Sequence, residues 1–387
     1  MLILFIISVF LLIHSYILYP ILLWLLAINK RLNYMCFSSN DELPQVSVLM
    51  AAHNEESVIQ AKLESIIASN YPLDKLEIIV GSDCSNDRTN SILSDYASRY
   101  PHISFVEFNQ RQGKIAIVNH LLAMAKFPII ISTDANVMFN PSTVFELVKY
   151  FKDPNVGLVD SRMVNKGLSK SGISIQESTY ITHEVMIKHR EGLLWGSMIG
   201  PFGGCYAIRK ELFCSPPSNF LVDDFYISMK VIEQGKRSIN NLNALATEDV
   251  SNRLTEEFRR KVRIGTGNFQ NLWQFAALLW PPTKPVAFSF FSHKVIRWFG
   301  PILLLLTAIS TIALSFQSQF FHGVLVGIVI ILSIPLIDFI LKSFKLHISL
   351  FRFVTHFFSM NLALLVGLIK YFKGVNSNVW QPTQRNQ

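Results

Sequence analysis

The sequence predicts an α/β domain with a mostly parallel central sheet, carried between membrane-length helices at both ends of the chain. Three observations carry this. Short apolar runs alternate with helically spaced apolar residues from Val46 to Val148, which is the pattern of a doubly wound sheet. Leu2 to Ile28, and three stretches after Arg297, are long and apolar enough to cross a bilayer. Half of the 387 residues are hydrophobic and the mean hydropathy is +0.33, too apolar for an ordinary soluble protein and too polar for an all-membrane one.

From the N-terminus, Leu2 to Ile28 holds no Asp, Glu, Lys or Arg, has neither a basic start nor a small-residue cleavage site, and reads as a retained anchor over residues 1–28. Asn29-Lys30-Arg31 comes next, and flanking positive charge places the chain from about Leu32 onward on the cytoplasmic side. A domain is expected over 45–266. Its first strand is Val46 to Met50, followed by a helix with Ile59, Leu63, Ile66 and Ile67 on one face. The pattern repeats with Leu76 to Val80 before Ile92, Leu93 and Tyr96, and with Ile103 to Phe108 before Ile117, Val118, Leu121 and Leu122. A fourth strand, Phe127 to Ser132, precedes a helix after Pro141. Beyond Val159 the periodicity weakens. Residues 267–296 read as an interfacial segment, with the aromatic-rich stretch Asn268 to Trp280 either lying in the membrane interface or serving as an ordinary core helix. Residues 297–370 hold two or three spans, about Trp298 to Phe316, Phe320 to Leu341 and Ile348 to Ile369, with Pro335 and Asp338 interrupting the second. If all cross, the tail 371–387 with Lys373 and Arg385 ends outside, against the positive-inside tendency.

The formal net charge is +8, partly from Arg253, Arg259, Arg260, Lys261 and Arg263 in one stretch, which suits a helix face near anionic lipid or a pyrophosphate clamp. No nucleic-acid recognition motif accompanies the charge. Cys36, Cys84, Cys205 and Cys214 show neither a paired framework nor zinc spacing, as expected of reduced thiols.

Three polar loops each follow a strand: Ala51 to Glu56, Gly81 to Asp87 and Thr133 to Asn136. Ligands of open α/β sheets bind beyond the carboxyl ends of the strands, so these loops mark one crevice, suited to a phosphorylated ligand and a divalent cation. Asn54 and Asp87 also read as helix caps, Lys114 as a solvated lysine, and Gly203-Gly204 as a tight turn. Together the ordered motifs resemble the membrane-bound family 2 glycosyltransferases, the group of the cellulose, hyaluronan and poly-N-acetylglucosamine synthases.

That resemblance implies a GT-A-type nucleotide-sugar-binding fold, an inverting transfer, and a divalent cation, Mg2+ or Mn2+. It implies that His53 and Glu55 hold base and ribose, that Asp83 accepts a base N–H and so favours UDP, and that Lys114 meets the diphosphate. Asp134-Ala135-Asn136 stands where the family has two carboxylates flanking one residue, with Asn136 as a departure. Phe202, Gly203 and Gly204 fall on the acceptor side. Two acidic pairs compete for the proton-accepting role, Asp223-Asp224 and Glu248-Asp249, and spacing to the arginine cluster favours Asp224 as the base. The final motif, read here as Arg260-Lys261-Val262-Arg263-Ile264, places Arg260 and Arg263 on the leaving diphosphate and lacks a stacking tryptophan, with Trp195 or Phe202 as substitutes. The expected partners are a nucleotide-sugar donor, a glycan or polyprenyl- or lipid-linked acceptor, membrane lipids, and no nucleic acid. The expected place is a bacterial inner membrane, multi-pass, with the catalytic domain cytoplasmic, in envelope or exopolysaccharide assembly. A different class of reading is an inactive membrane scaffold that keeps the fold.

Overall fold

A computed structural model describes residues 1–38, 40–168, 172–249 and 253–375. The expected tail from 376 onward, with Arg385, lies outside the described residues. The chain opens with one long helix made of Leu2–Ile13 (α1) and Tyr19–Ala27 (α2), joined by a π-helical turn at His14–Leu18. Pro20 sits in the first turn of α2 and has no N–H to continue the α-helical ladder, which accounts for the widened turn before it.

Eight strands follow: Val46–Ala52 (β1), Leu76–Asp83 (β2), Ile103–Phe108 (β3), Ile129–Thr133 (β4), Met138–Phe139 (β5), Val156–Lys166 (β6), Cys205–Arg209 (β7) and Arg237–Asp249 (β8). They form one sheet in the order β3-β2-β1-β4-β7-β6-β8-β5. β1 pairs in parallel with β2 and β4, with Val46 level with both Leu76 and Ile129, so the three acidic loops leave the same edge. β7 runs antiparallel between β4 and β6 and closes that edge from the other side.

Helices Ile59–Ile67 (α3), Thr89–Arg99 (α4), Lys114–Met124 (α5) and Thr143–Val148 (α6) cover the sheet. Val48, Met50, Ile78, Val80 and Ile131 pack with Ile59, Leu63 and Leu93 on one face. Leu49, Ile79 and Ile130 pack with Ile117 and Leu121 on the other. Burial on both faces is what turns the strands into continuous apolar runs, each such side chain contributing roughly 1.5–3 kcal/mol.

The second half adds Ser174–Trp195 (α7), Asp223–Glu233 (α8) and Leu254–Gln274 (α9). The expected boundary at 266/267 falls inside α9, which continues through Gly265 and Gly267. The last helix of the chain, Ser349–Lys373, supports α9 there: a Cβ on Gly367 would lie 2.8 Å from the Thr266 nitrogen, so small residues permit this crossing. Of the Asn268 to Trp280 stretch, Phe269, Leu272 and Phe275 are core residues while Trp273 and Trp280 are exposed.

Pro285–Ser289 (α10), a π-helical turn at Phe290–Val295 and Ile296–Trp298 (α11) run into Gly300–Ser315 (α12) through a 63° bend. Gln319–Ser343 (α13) and Ser349–Lys373 (α14) complete the chain's helices. Leu2–Ala27, α13 and α14 are each long and apolar enough to cross a membrane, and the bent pair would make a fourth. α13 runs through Pro335 and Asp338 without a break, and the buried Asp338 carboxylate meets the Arg352 guanidinium of α14 at 3.0 Å. A charge in a span is tolerated when a neighbouring helix supplies its partner.

Candidate active site

The loops at the carboxyl edge of the sheet open into a cavity of about 680 Å³ that extends to the membrane-side helices. Its sheet-side wall carries Glu55, Lys114, Asp134, Asn136 and Glu248, and Asp223, Asp224 and Arg263 also line it. Phe353, Phe357, Met360 and Leu364 of α14 line its inner end.

Lys114 begins α5 and reaches across the crevice, with Nζ 2.7 Å from Asp134 Oδ1 and 3.9 Å from Asp223 Oδ2. Burial works against the ammonium, but Asp134 and Asp223 outweigh it and hold its pKa above the ordinary lysine value. The solvated reading of Lys114 is thereby replaced by a cation wedged between two carboxylates. Asp134 is held by its own backbone, whose N–H donates to the Gly204 carbonyl at 3.0 Å. Behind the loop, the fully buried Lys62 donates to Thr133 Oγ1 at 2.9 Å and to the Val137 carbonyl. Nothing in the sequence pattern marked Lys62.

Asp224 stands in the first turn of α8. Its Oδ1 accepts the Phe225 N–H at 2.8 Å. Burial, then the neighbouring Asp223 charge, pushes its carboxyl up to about 7, against the pull of Lys114. A base with a pKa near the working pH accepts a proton most effectively. Gly203 lies directly against it. Its φ is +84°, and a Cβ there would lie 2.9 Å from Asp224 Cγ. The glycine turn is thus shaped around the carboxylate, a reason the acceptor-side expectation for Gly203 did not contain. Phe202 lines the cavity, its N–H donating to Asp160 Oδ1 at 3.3 Å. Gly204 also lines the cavity and ties β7 to Asp134 through its carbonyl.

The two arginines divide. Arg260 forms a two-point pair with Glu257, Nε to Oε2 at 3.0 Å and Nη2 to Oε1 at 2.9 Å, and also reaches Glu177 at 2.9 Å. Its charge is matched by Glu257 and Glu177, and its side chain also lines the cavity. Arg263 donates to the Leu221 carbonyl at 3.3 Å and takes part in no ion pair among the described residues. Burial lowers its pKa, while Asp223, Asp224 and Asp134 act the other way. Arg263 lines the cavity, as Lys114 and Arg260 do, and differs from them in having no carboxylate partner among the described residues.

Asp83 is also committed. Its Oδ1 accepts from Gln112 N at 2.7 Å, and its Oδ2 from Arg111 Nε and Gly113 N, both at 3.1 Å. This buried carboxylate fixes the turn that launches Lys114. His53 Nδ1 pairs with the Asp83 carbonyl at 2.7 Å, and neither residue lines the cavity. Glu55 does, with its backbone N–H on Thr89 Oγ1 at 2.9 Å. Asp87 accepts the Thr89 N–H at 2.9 Å, the capping role read for it. Of the two aromatics proposed in place of a tryptophan at Ile264, Trp195 instead packs on Phe288. Trp298, wedged between Phe225 and Phe290, reaches the cavity.

A row on α7 went unread in the sequence: Glu177, Glu184 and Glu191, spaced by seven and therefore on one face. Glu177 meets Arg260, Lys261 and His356; Glu184 meets His293, Lys294 and Arg297; Glu191 accepts from Tyr19 at 2.7 Å and pairs with His293. These buried pairs dock the membrane-side helices on the sheet domain. The sevenfold spacing was the available signal.

Residues 47–214 match the family model Glycosyl transferase family 2. This stretch is a family 2 glycosyltransferase domain. The domain is 32% identical over 167 residues to the probable glycosyltransferase YdaM of Bacillus subtilis, covering 40% of this chain and 38% of that one. It is 25% identical over 175 residues to the poly-beta-1,6-N-acetyl-D-glucosamine synthase of Staphylococcus epidermidis, covering 45% of this chain and 41% of that one. The matches thus span about two fifths of these relatives' length. A mannosyltransferase from Pyrobaculum calidifontis, solved with GDP-Man and Mn2+, superposes with a TM-score of 0.70 at 22% identity, over 95% of this chain and 99% of that one. That likeness shows the fold: a GT-A-like domain with its accompanying helices.

The donor set around the crevice suits a hard cation. Asp134 and Asn136 both line it and both offer oxygen. Among the described residues no three His, Cys, Asp or Glu side chains gather into a cage. A cation here would therefore complete its shell with donor phosphates and water, as magnesium commonly does.

Proposed function

We propose that the chain is an inverting glycosyltransferase that moves a sugar from a nucleotide sugar to a membrane-held acceptor. The observation that carries this is Asp224, a carboxylate with a raised pKa in a cavity that also holds Lys114, Asp134 and Arg263, the last without an ion pair among the described residues. Asp224 accepts the proton of the acceptor hydroxyl as it attacks the anomeric carbon, and the nucleoside diphosphate leaves from the opposite face. Arg263 and Lys114 complement the departing charge, Lys114 by turning from Asp134 toward phosphate. Asp134, with Asn136, would hold a divalent cation, Mg2+ or Mn2+, whose chemistry is to neutralise the diphosphate as it leaves. The Mn2+ and GDP-Man in the Pyrobaculum structure support a cation and a nucleotide sugar here. The resemblance favours UDP as carrier, and the commitment of Asp83 to its own turn makes GDP-linked donors the necessary comparison.

The acceptor is read as lipid-linked in preference to a free glycan, because α14 lines the inner end of the cavity with Phe353, Phe357, Met360 and Leu364. The enzyme is a multi-pass membrane protein with its catalytic domain cytoplasmic, supported by the membrane-length helices and by Lys30-Arg31 after the first of them. The test is release of nucleoside diphosphate from a panel of UDP- and GDP-sugars by the purified chain in lipid, with and without EDTA. Cation-dependent release supports the proposal. Full turnover in EDTA refutes the cation, and silence across the panel with added lipid extract favours an inactive scaffold.

A further inference from the structure

The Asp134-Ala135-Asn136 turn has one carboxylate where two would usually face a divalent cation. A neutral amide oxygen is the weaker ligand for such a cation, so the site is short of one charge. The structure places a carboxylate beside the defect. Asn136 Nδ2 donates to Glu248 Oε1 at 2.8 Å, across 112 residues of sequence. Strand pairing produces this meeting. β5 runs antiparallel to β8 with Met138 level with Thr247, which carries residue 136 to the Glu248-Asp249 end of that strand. β6 runs parallel on the other side with Asn165 level with Glu248. Glu248 is therefore held in register by β6 on one flank, with its neighbour Thr247 held by β5 on the other, and it lines the same cavity.

We propose that Glu248 is a positioning residue of the cation site: it engages the donor end of the Asn136 amide, leaving Oδ1 to the cation, and supplies the negative charge that asparagine lacks. This rests on the reading that the cavity binds a divalent cation together with its nucleotide. A carboxylate that hydrogen-bonds a metal ligand both orients it and makes it a better donor, and losing such a partner weakens metal affinity about 10–100-fold. A merely structural bond would make a different demand. Glutamine at 248 offers the Asn136 amide the same acceptor at nearly the same size, so that bond alone tolerates Glu248→Gln, and loss of Mn2+ affinity at unchanged melting temperature separates the cation role from Glu248's other contacts, the Arg260 charge among them.

The experiment uses the full chain in detergent, titrated with Mn2+ in the presence of UDP and, separately, GDP, with free Mn2+ followed by its electron paramagnetic resonance signal. Glu248→Gln should weaken Mn2+ binding by about tenfold. The paired variant Asn136→Asp with Glu248→Gln returns the charge to the turn and should recover affinity to within about threefold of the original chain. Asn136→Asp alone sets two carboxylates within hydrogen-bonding distance and should bind no better than the original. Affinity of Glu248→Gln within twofold of the original, or a paired variant no tighter than Glu248→Gln, overturns the assignment. Should Glu248→Gln fail to fold by thermal unfolding, the paired variant decides alone: Mn2+ binding near the original level supports the assignment, and loss of binding by a folded paired variant overturns it. An original chain that takes up no Mn2+ with either nucleotide overturns the cation reading itself, and the assignment with it.

Discussion

Replacing Gly203 with alanine tests whether the glycine turn exists to admit Asp224. A Cβ built at 203 would lie 2.9 Å from Asp224 Cγ and 3.3 Å from its Cβ, where ordinary contact begins at 3.4 Å. The carboxyl carbon must therefore retreat by at least about half an ångström, and Oδ2, nearer still, by more. Rotation away is restricted, because Asp224 Oδ1 is already tied to the Phe225 N–H. A catalytic group displaced by about 1 Å loses on the order of a hundredfold in rate. The φ of +84° adds strain for any L side chain, about 1–2 kcal/mol. The expected result is kcat lowered about a hundredfold with donor KM within about threefold, and a modest fall in melting temperature. The assay is initial-rate release of nucleoside diphosphate at varied donor concentration, beside thermal unfolding of the same preparation. A Gly203→Ala enzyme with kcat within threefold of the original would refute the steric argument. A selective rise in acceptor KM would return Gly203 to an acceptor-binding role.

Because Asp224 must be ionised to accept a proton and its pKa is raised to about 7, kcat/KM should fall about tenfold per pH unit below that value. Asp223→Asn removes a like charge and should move this limb to lower pH, which a pH–rate profile reads directly. Arg263→Ala should slow turnover with little loss of stability, whereas Arg260→Ala leaves the buried Glu257 short of its two-point partner and should cost about 1–3 kcal/mol, seen in thermal unfolding. Equal kinetic damage from both, with unchanged melting, would undo that division. Burial pushes the Lys62 ammonium down to about 7 from 10.5; the unfolded chain binds the extra proton between these values, so stability should rise with pH across that window. Melting of Lys62→Met should lack this slope, and an identical slope would remove Lys62 as its cause.

Much of this molecule was legible in one dimension. Strand–helix alternation from Val46 to Val148 and the membrane-length segments depend on periodicity and length, which are local properties, and the acidic loops were locatable because parallel strands must all end on one edge. The spacing that the family resemblance implies also favoured Asp224 over the Glu248 pair, and the cavity holds Asp224 and Glu248 together. What the tertiary structure decided was which charges remain available. Arg260 and Arg263 are three residues apart on one helix, yet one is cancelled by Glu177, 83 residues away, and the other is not. Asp83 is taken by its own loop, Asn136 finds Glu248 across 112 residues, and Gly203 is shaped by a carboxylate from the following helix. The physical reason is common to all of these. Coulomb attraction and steric contact act over a few ångströms in space, and distance along the chain carries no record of them until the sheet and the membrane-length helices have packed.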